Sequence, residues 1–154
     1  MEIKPHVELL TYTPNADQLV AAAARLCYSG ADIGDLFDRI TQKDQTAFIG
    51  KLRKMGHLSP FEHVSFTFGI EGVSRALLAQ ITRHRIAGFS VQSQRYVTMG
   101  AGSDGFDYVV PPSIAALGTT YADEFRDQMR RMDAWYRGWI DVLGEAKKED
   151  ASFV

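Results

Sequence analysis

Apolar and polar residues alternate most cleanly between Val64 and Ile70, where Val64, Phe66, Phe68 and Ile70 interleave with Ser65, Thr67 and Gly69. A period of two marks a strand with one buried face, so a strand is predicted there. Val7 to Tyr12 alternates enough to predict another. Elsewhere the spacing is helical. Asn15 is placed to cap a helix running through Ala21, Ala22, Ala23 and Ala24 towards Tyr28. Thr41 is placed to cap the next, which carries Phe48, Ile49, Leu52 and Met55 on one face and should stop at Gly56. Ser59-Pro60 predicts a short helix with proline in its first turn. Ser74 should cap a helix bearing Ala76, Leu77, Leu78 and Ile81 and ending near Arg85. From about Thr120, Tyr121, Phe125, Met129, Met132, Tyr136, Trp139 and Leu143 recur at steps of three or four, which predicts one long amphipathic helix. Such an aromatic and methionine stripe is expected to face a core or a subunit interface. Phe106 to Val110 reads as a short strand closed by Pro111-Pro112. Gly100 to Gly105 reads as a turn, its glycine spacing matching no phosphate-binding fingerprint.

Composition narrows the class. The chain has 154 residues, 45% hydrophobic and 23% charged, the makeup of one globular domain over residues 1–154 with a core of its own. A formal net charge of -2 argues against bulk binding of nucleic acid, which needs a strongly basic surface. No stretch approaches the roughly 20 apolar residues that cross a bilayer, and Met1-Glu2-Ile3-Lys4-Pro5 lacks the apolar run of a signal peptide. A single cysteine, Cys27, excludes an internal disulfide. The expectation is therefore a cytoplasmic protein with neither membrane nor nucleic acid as partner.

Positive charge is instead local. Between Arg83 and Tyr96 the chain reads Arg-His-Arg-Ile-Ala-Gly-Phe-Ser-Val-Gln-Ser-Gln-Arg-Tyr. Guanidinium forks match phosphate oxygens two at a time, so arginines converging on one loop favour a phosphorylated small molecule. Cations in a last helical turn are also favoured by the helix dipole whether or not anything binds. The polar run Ser90, Gln92, Ser93, Gln94 and Arg95 has no use in mere capping and tilts the balance towards a binding site. Gln80, Arg83 and His84 lie three and four positions apart, which would put them on one side of the helix's final turns. Metal is not expected. His57 and His63 are six apart rather than four, and no cysteine supports them or Glu62 as ligands. Cys27, inside an alanine-rich helix, is expected to be a buried small hydrophobe rather than a nucleophile. Ser93 has no base and acid arranged as a triad, so binding is its expected role.

Arg83-His84-Arg85, followed after seven residues by Ser93 and then Gln94-Arg95-Tyr96, resembles the signature of the flavin-dependent thymidylate synthases. Gly56-His57-Leu58-Ser59-Pro60-Phe61-Glu62-His63 resembles that family's His-x-Ser/Thr-Pro-Phe-Glu-His segment, at the family's distance before the arginines. The resemblance is most specific over residues 56–96. It implies an α+β fold with a mixed, largely antiparallel sheet packed with helices. It also implies methylation of dUMP to dTMP, with methylenetetrahydrofolate as carbon donor, FAD as cofactor and NADPH as reductant, and no enzyme thiolate.

By the same resemblance Ser59, Arg83, His84, Arg85 and Val91 would contact FAD. Gln80, Arg83, Val91, Gln92, Ser93, Gln94 and Arg95 would hold dUMP, through backbone amides and the Arg95 guanidinium. His57 would lie near flavin and folate, and Ser93 would position substrate rather than attack it. The family assembles as a homotetramer whose active sites draw on several subunits. Two departures stand out. Ser90-Val91 replaces the family's common Asn-Glu, and Ser152 stands where the family usually has an arginine reaching the nucleotide. Family members usually continue for several dozen residues, with further arginines for FAD and the uracil ring, so the chain is expected to be C-terminally truncated relative to them. A non-catalytic nucleotide-binding or assembly module therefore stays open as the alternative to an enzyme.

Overall fold

The computed structural model describes residues 1–100 and 105–152. Among these are two strands and seven α-helices in mixed order, an α+β fold. They divide between two compact units, one spanning Val7–Gly69 and the other Met1–His6 with Ile70 onward. Most of the predicted turn from Gly100 to Gly105 lies outside the described residues, as do Phe153 and Val154. No described helix is long and apolar enough to cross a membrane.

The Val7–Gly69 unit holds most of the pairing between β1 (His6–Tyr12) and β2 (Phe66–Glu71). The strands run antiparallel. Their register is pinned where Thr13 donates its N–H to the Ser65 carbonyl at 3.0 Å, while the Ser65 N–H donates to Thr13 Oγ1, also at 3.0 Å. Tyr12, Phe66 and Phe68 stack along one side with ring centroids 6.4 Å apart. The expected buried face is absent. Phe66 and Phe68 remain 56% and 52% exposed, and all of β1 is exposed. Alternation states which side chains share a face, whereas covering that face requires a second layer.

Beside the strands, α1 (Ala16–Leu26) turns Val20, Ala21 and Ala24 inward. Val20 and Ala24 pack with Leu52 of α3 (Thr46–Lys54), and Phe48, Ile49, Phe61 and Val64 close around them. Alanine lets the helices approach closely. Asn15 does precede α1, but in a left-handed conformation (φ 52) and with no capping hydrogen bond from its side chain.

Between α1 and α3 lies a helix the sequence reading passed over, α2 (Ile33–Thr41), so Thr41 ends one helix instead of starting the next. The start of α3 is held by Asp44, whose carboxylate accepts from the Thr46 N–H at 3.1 Å and the Thr46 hydroxyl at 2.7 Å. Buried Gln45 closes the connection, its amide donating to the carbonyls of Ile40 and Lys43 at 2.9 and 3.0 Å.

Cys27 is exposed rather than buried, because it falls just past the last turn of α1, where the inward-facing period has ended. Cys27→Ser should therefore change stability by no more than about 0.5 kcal/mol, the usual range for surface substitutions. Thermal unfolding checks this, and a loss several times larger would restore the buried assignment.

The second unit is built on α6 (Thr119–Leu143), the long helix expected from the aromatic stripe. Only part of that stripe is covered. Tyr136 is 1% exposed, whereas Tyr121 and Trp139 stay exposed, as does Trp135 beside them. The short α5 (Pro112–Ala115) packs on α6, and Tyr108 meets Phe125 edge-on. Phe106 to Val110 does not form a strand; it makes a single parallel bridge, Tyr108 with Glu2. Glu2 is held in turn by Arg126 at 2.7 Å. That hydrogen bond lowers the Glu2 carboxyl below its ordinary value, so its contribution is present at neutral pH and fades as the pH falls through the lowered value.

Gly72 follows β2 with φ +66, and a Cβ there would come within 2.1 Å of the Lys4 carbonyl oxygen. Both the left-handed backbone and the close approach exclude a side chain. Gly72→Ala should destabilise by about 2 kcal/mol or more, visible as a lower denaturation midpoint; an unchanged midpoint would mean that the Lys4 segment yields freely.

Candidate functional site

The sequence-predicted residues fall in two groups, one in each compact unit. In the Val7–Gly69 unit, His57 and Ser59 follow α3, and a specific helix ending places them. Gly56 takes a left-handed conformation (φ 73), its N–H donates to the Arg53 carbonyl at 3.1 Å, and the His57 N–H reaches back to the Leu52 carbonyl at 3.0 Å. This pair of bonds is a Schellman ending, for which glycine is the favoured residue. The chain is thereby turned sharply before a 3₁₀ turn over Ser59–His63, with Pro60 in its first positions as expected. His57 and Ser59 are both exposed, so their polar groups are open to a ligand. Among the described residues no group of three or more His, Cys, Asp or Glu is gathered as a metal ligand set would be.

The second group begins at α4 (Arg75–Ile81), where Ser74 Oγ accepts from the Leu77 N–H at 3.1 Å, the cap expected of it. The helix is shorter than predicted. It ends at Ile81, so Gln80 sits on it while Arg83, His84 and Arg85 lie in the turns that follow. Thr82 ends the regular ladder, its hydroxyl donating to the Leu78 carbonyl at 2.9 Å. The Arg83 N–H donates to the Gln80 carbonyl at 3.2 Å and the His84 N–H to the Ile81 carbonyl at 3.1 Å, bonds of the tighter three-residue kind. Arg83, His84 and Arg85 are exposed, and none of them forms an ion pair with a described residue. Three donors held beside one another without carboxylate partners remain free to meet an anion.

The loop after them has no regular structure until Gln94. Its conformation is set by Ser93. The Ser93 hydroxyl accepts from the Arg95 N–H at 3.2 Å, and its carbonyl accepts from the N–H groups of Tyr96 and Val97 at 3.3 and 3.0 Å. Ser93 thus folds the chain into a small turn that presents Arg95. This modifies the expected use of backbone amides: that of Arg95 is already engaged, whereas those of Val91, Gln92, Ser93 and Gln94 donate to no described residue. On the other side, Arg75 donates to the Gln92 carbonyl at 3.4 Å. The Arg95 guanidinium has Glu149 at 3.8 Å, but both side chains are more than half exposed. A solvated pair at that distance is worth little, and a phosphate dianion would displace the carboxylate.

Ser93→Ala should loosen the turn by about 1 kcal/mol, the value of one hydrogen bond, and speed amide exchange at Arg95 about fivefold to tenfold; unchanged exchange would mean the turn forms without the hydroxyl. Sequence reasoning missed Arg75, alone among mostly apolar neighbours at the start of α4, and Lys148 and Glu149, which sit in an ordinary-looking charged stretch. Their spacing carries no signal, because what matters is a carbonyl or guanidinium brought near by the fold. Ser152 is half-buried and its hydroxyl donates to the Lys148 carbonyl at 3.1 Å, so it is turned onto its own helix.

Comparison with known proteins gives the arrangement a context. The sequence profile of the family described as Thymidylate synthase complementing protein matches residues 8–154. A protein of Geobacter sulfurreducens named flavin-dependent thymidylate synthase is 46% identical over 148 residues, covering 96% of this chain and 62% of that protein. One of the same name from Nitratidesulfovibrio vulgaris is 46% identical over 162 residues, covering 98% of this chain and 64% of its own length. A more distant one, from Pyrococcus furiosus, is 32% identical and covers 96% of this chain and 59% of that protein. The chain thus spans about three fifths of the length of the curated relatives it matches.

Proposed function

Because the chain belongs to the flavin-dependent thymidylate synthase family, we propose that it supplies the nucleotide-binding and part of the flavin-binding machinery for methylation of dUMP to dTMP. In this reading methylenetetrahydrofolate donates the carbon and NADPH the reducing equivalents. The observation that carries it is the turn at Ser93. That turn carries Arg95 directly after Val91 to Gln94, whose backbone N–H groups donate to no described residue. Backbone N–H groups next to a guanidinium are the donor set that a phosphate monoester takes.

Each residue then has a definable task. Arg95 would take two phosphate oxygens through its fork, and the amides of Val91 to Gln94 the remaining acceptors. Gln80 and Ser93 would orient the base and sugar. Arg83, His84 and Arg85 would hold FAD, and their chemistry fits: exposed donors without carboxylate partners among the described residues suit a pyrophosphate and the carbonyl and nitrogen acceptors of an isoalloxazine ring. Bound FAD would supply the hydride chemistry that side chains lack. His57 would order the folate side. What the protein contributes is alignment and charge management, so no residue need act as a nucleophile. Cys27, exposed and outside both groups, has no part in this scheme.

Self-association into a homotetramer belongs to the same reading. It is supported by the exposed Phe66, Phe68 and Ile70 of β2, and by exposed Trp135 and Trp139 on α6, since large apolar side chains grouped on a surface mark interfaces. The deciding experiment is calorimetric titration of the chain with dUMP, followed by visible absorption after equilibration with FAD. Saturable dUMP binding that inorganic phosphate competes away is expected. Failure to bind dUMP at millimolar concentration would remove the nucleotide role, and a protein without flavin absorbance would leave the assembly-module alternative.

A further inference from the structure

Beyond Arg95 the loop is fastened to the rest of its unit at two points. The first is Lys148, in the short α7 (Lys148–Ala151) that follows α6. Its side chain is only 15% exposed, and its ammonium donates to the Tyr96 carbonyl and to Thr98 Oγ1, each at 3.3 Å, and stands 3.6 Å from a Glu145 carboxylate oxygen. Thr98 completes a ring, donating its hydroxyl proton to the same Glu145 oxygen at 2.7 Å. The ammonium thus has two hydrogen-bond acceptors, both on the loop, and an ion-pair partner in Glu145. The second point is Tyr136 of α6. Its hydroxyl accepts from the Met99 N–H at 3.2 Å, and the residue is 1% exposed, so the oxygen is fixed in a packed interior.

These two attachments do more than hold a surface loop down. They grip residues 96, 98 and 99, immediately after the turn made by Ser93, while Arg75 grips Gln92 immediately before it. Tyr96 is itself a member of that turn, since its N–H is bonded to the Ser93 carbonyl. Displacing Tyr96 therefore moves the turn and the direction of the Arg95 guanidinium. A bidentate phosphate contact is sensitive to such movement, because both N–H vectors must stay aligned with two oxygens at once.

We propose that Lys148 and Tyr136 are positioning residues of the nucleotide loop: by holding Tyr96 to Met99 they fix the Ser93 turn and so set its affinity for a nucleoside monophosphate. This rests on the nucleotide role proposed above for Ser93 and Arg95. Neither residue touches the ligand.

The test compares Tyr136→Phe, Lys148→Met and Lys148→Arg with the parent and with a control, Lys147→Met, at the exposed neighbouring lysine. Amide hydrogen exchange at Tyr96 to Met99 and dUMP affinity by calorimetry are read well below each variant's unfolding midpoint. Tyr136→Phe removes one oxygen and keeps the ring, so the fold should survive. Tyr136→Phe and Lys148→Met should each speed exchange in this segment and weaken dUMP by about tenfold, Lys148→Arg should recover most of the affinity, and the control should match the parent. Unchanged exchange would overturn the proposal. So would faster exchange with undiminished dUMP affinity, which would make the attachments merely structural. A parent that binds no dUMP would overturn the nucleotide role alone, and the exchange rates would then decide whether Lys148 and Tyr136 hold the loop.

Discussion

Tyr136→Ala should cost the chain about 3–5 kcal/mol, the range for deleting a fully buried aromatic side chain. Tyr136 is the large side chain the fold buries most completely, at 1% exposure. Truncation would leave a cavity beneath the last third of α6 and remove the acceptor of the Met99 N–H. Both tryptophans, Trp135 and Trp139, lie on the same helix, so tryptophan fluorescence during urea denaturation reports on this unit directly. The midpoint should fall sharply while the denaturant slope is kept. Tyr136→Phe, by contrast, should cost only about 1 kcal/mol, the value of one hydrogen bond. If Ala and Phe destabilised equally, the ring's packing would count for nothing and α6 would owe its stability elsewhere.

The largest functional effect is expected at Arg95. On the phosphate role proposed for it, Arg95→Ala would remove a charge-assisted, two-pronged contact, so dUMP affinity should fall about 10-fold to 100-fold. Arg95→Lys keeps the charge but not the fork and should recover only part of that loss. Stability should barely move in either variant, since the side chain is 70% exposed and its ion pair with Glu149, the only one among the described residues, is long and solvated. The readout is calorimetric titration with dUMP at fixed ionic strength. Arg95→Lys binding dUMP as tightly as the parent would end the phosphate role for this residue.

The comparison of Gln80, Arg83 and His84 shows how far helical spacing could be carried. Three and four residues apart, they would share a face only if the helix continued past Arg83, and it ends at Ile81. Thr82, β-branched and with a hydroxyl that bonds back to the Leu78 carbonyl, sits at the point of departure. A tight turn then keeps Arg83 and His84 near Gln80 through its hydrogen bonds to the Gln80 and Ile81 carbonyls. Their nearness along the chain was legible, and the turn that takes the place of the helix was not. Asp44 makes the same point for capping: Thr41 and Asp44 are both acceptable cap residues in sequence, and only the packing of Ile40 decides that α2 runs through Thr41.

What the sequence determined by itself was local. It specified the two strands, the Ser74 cap, the glycine ending at Gly56, the length of α6 and the basic, polar run from Arg83 to Arg95. It also placed the chain in its family through two motifs in the right order. All of these rest on short-range rules, in which a residue's backbone preference or its period relative to near neighbours is enough. Burial and partnership were decided only by the tertiary structure. The fold left Phe66 and Phe68 uncovered, put Cys27 at the surface, singled out Tyr136 from an aromatic stripe, and bonded Lys148 to Tyr96, 52 positions away in the chain. Those outcomes depend on which surfaces meet, and no local pattern records that, because covering a face or pairing a carbonyl takes atoms from a distant part of the chain.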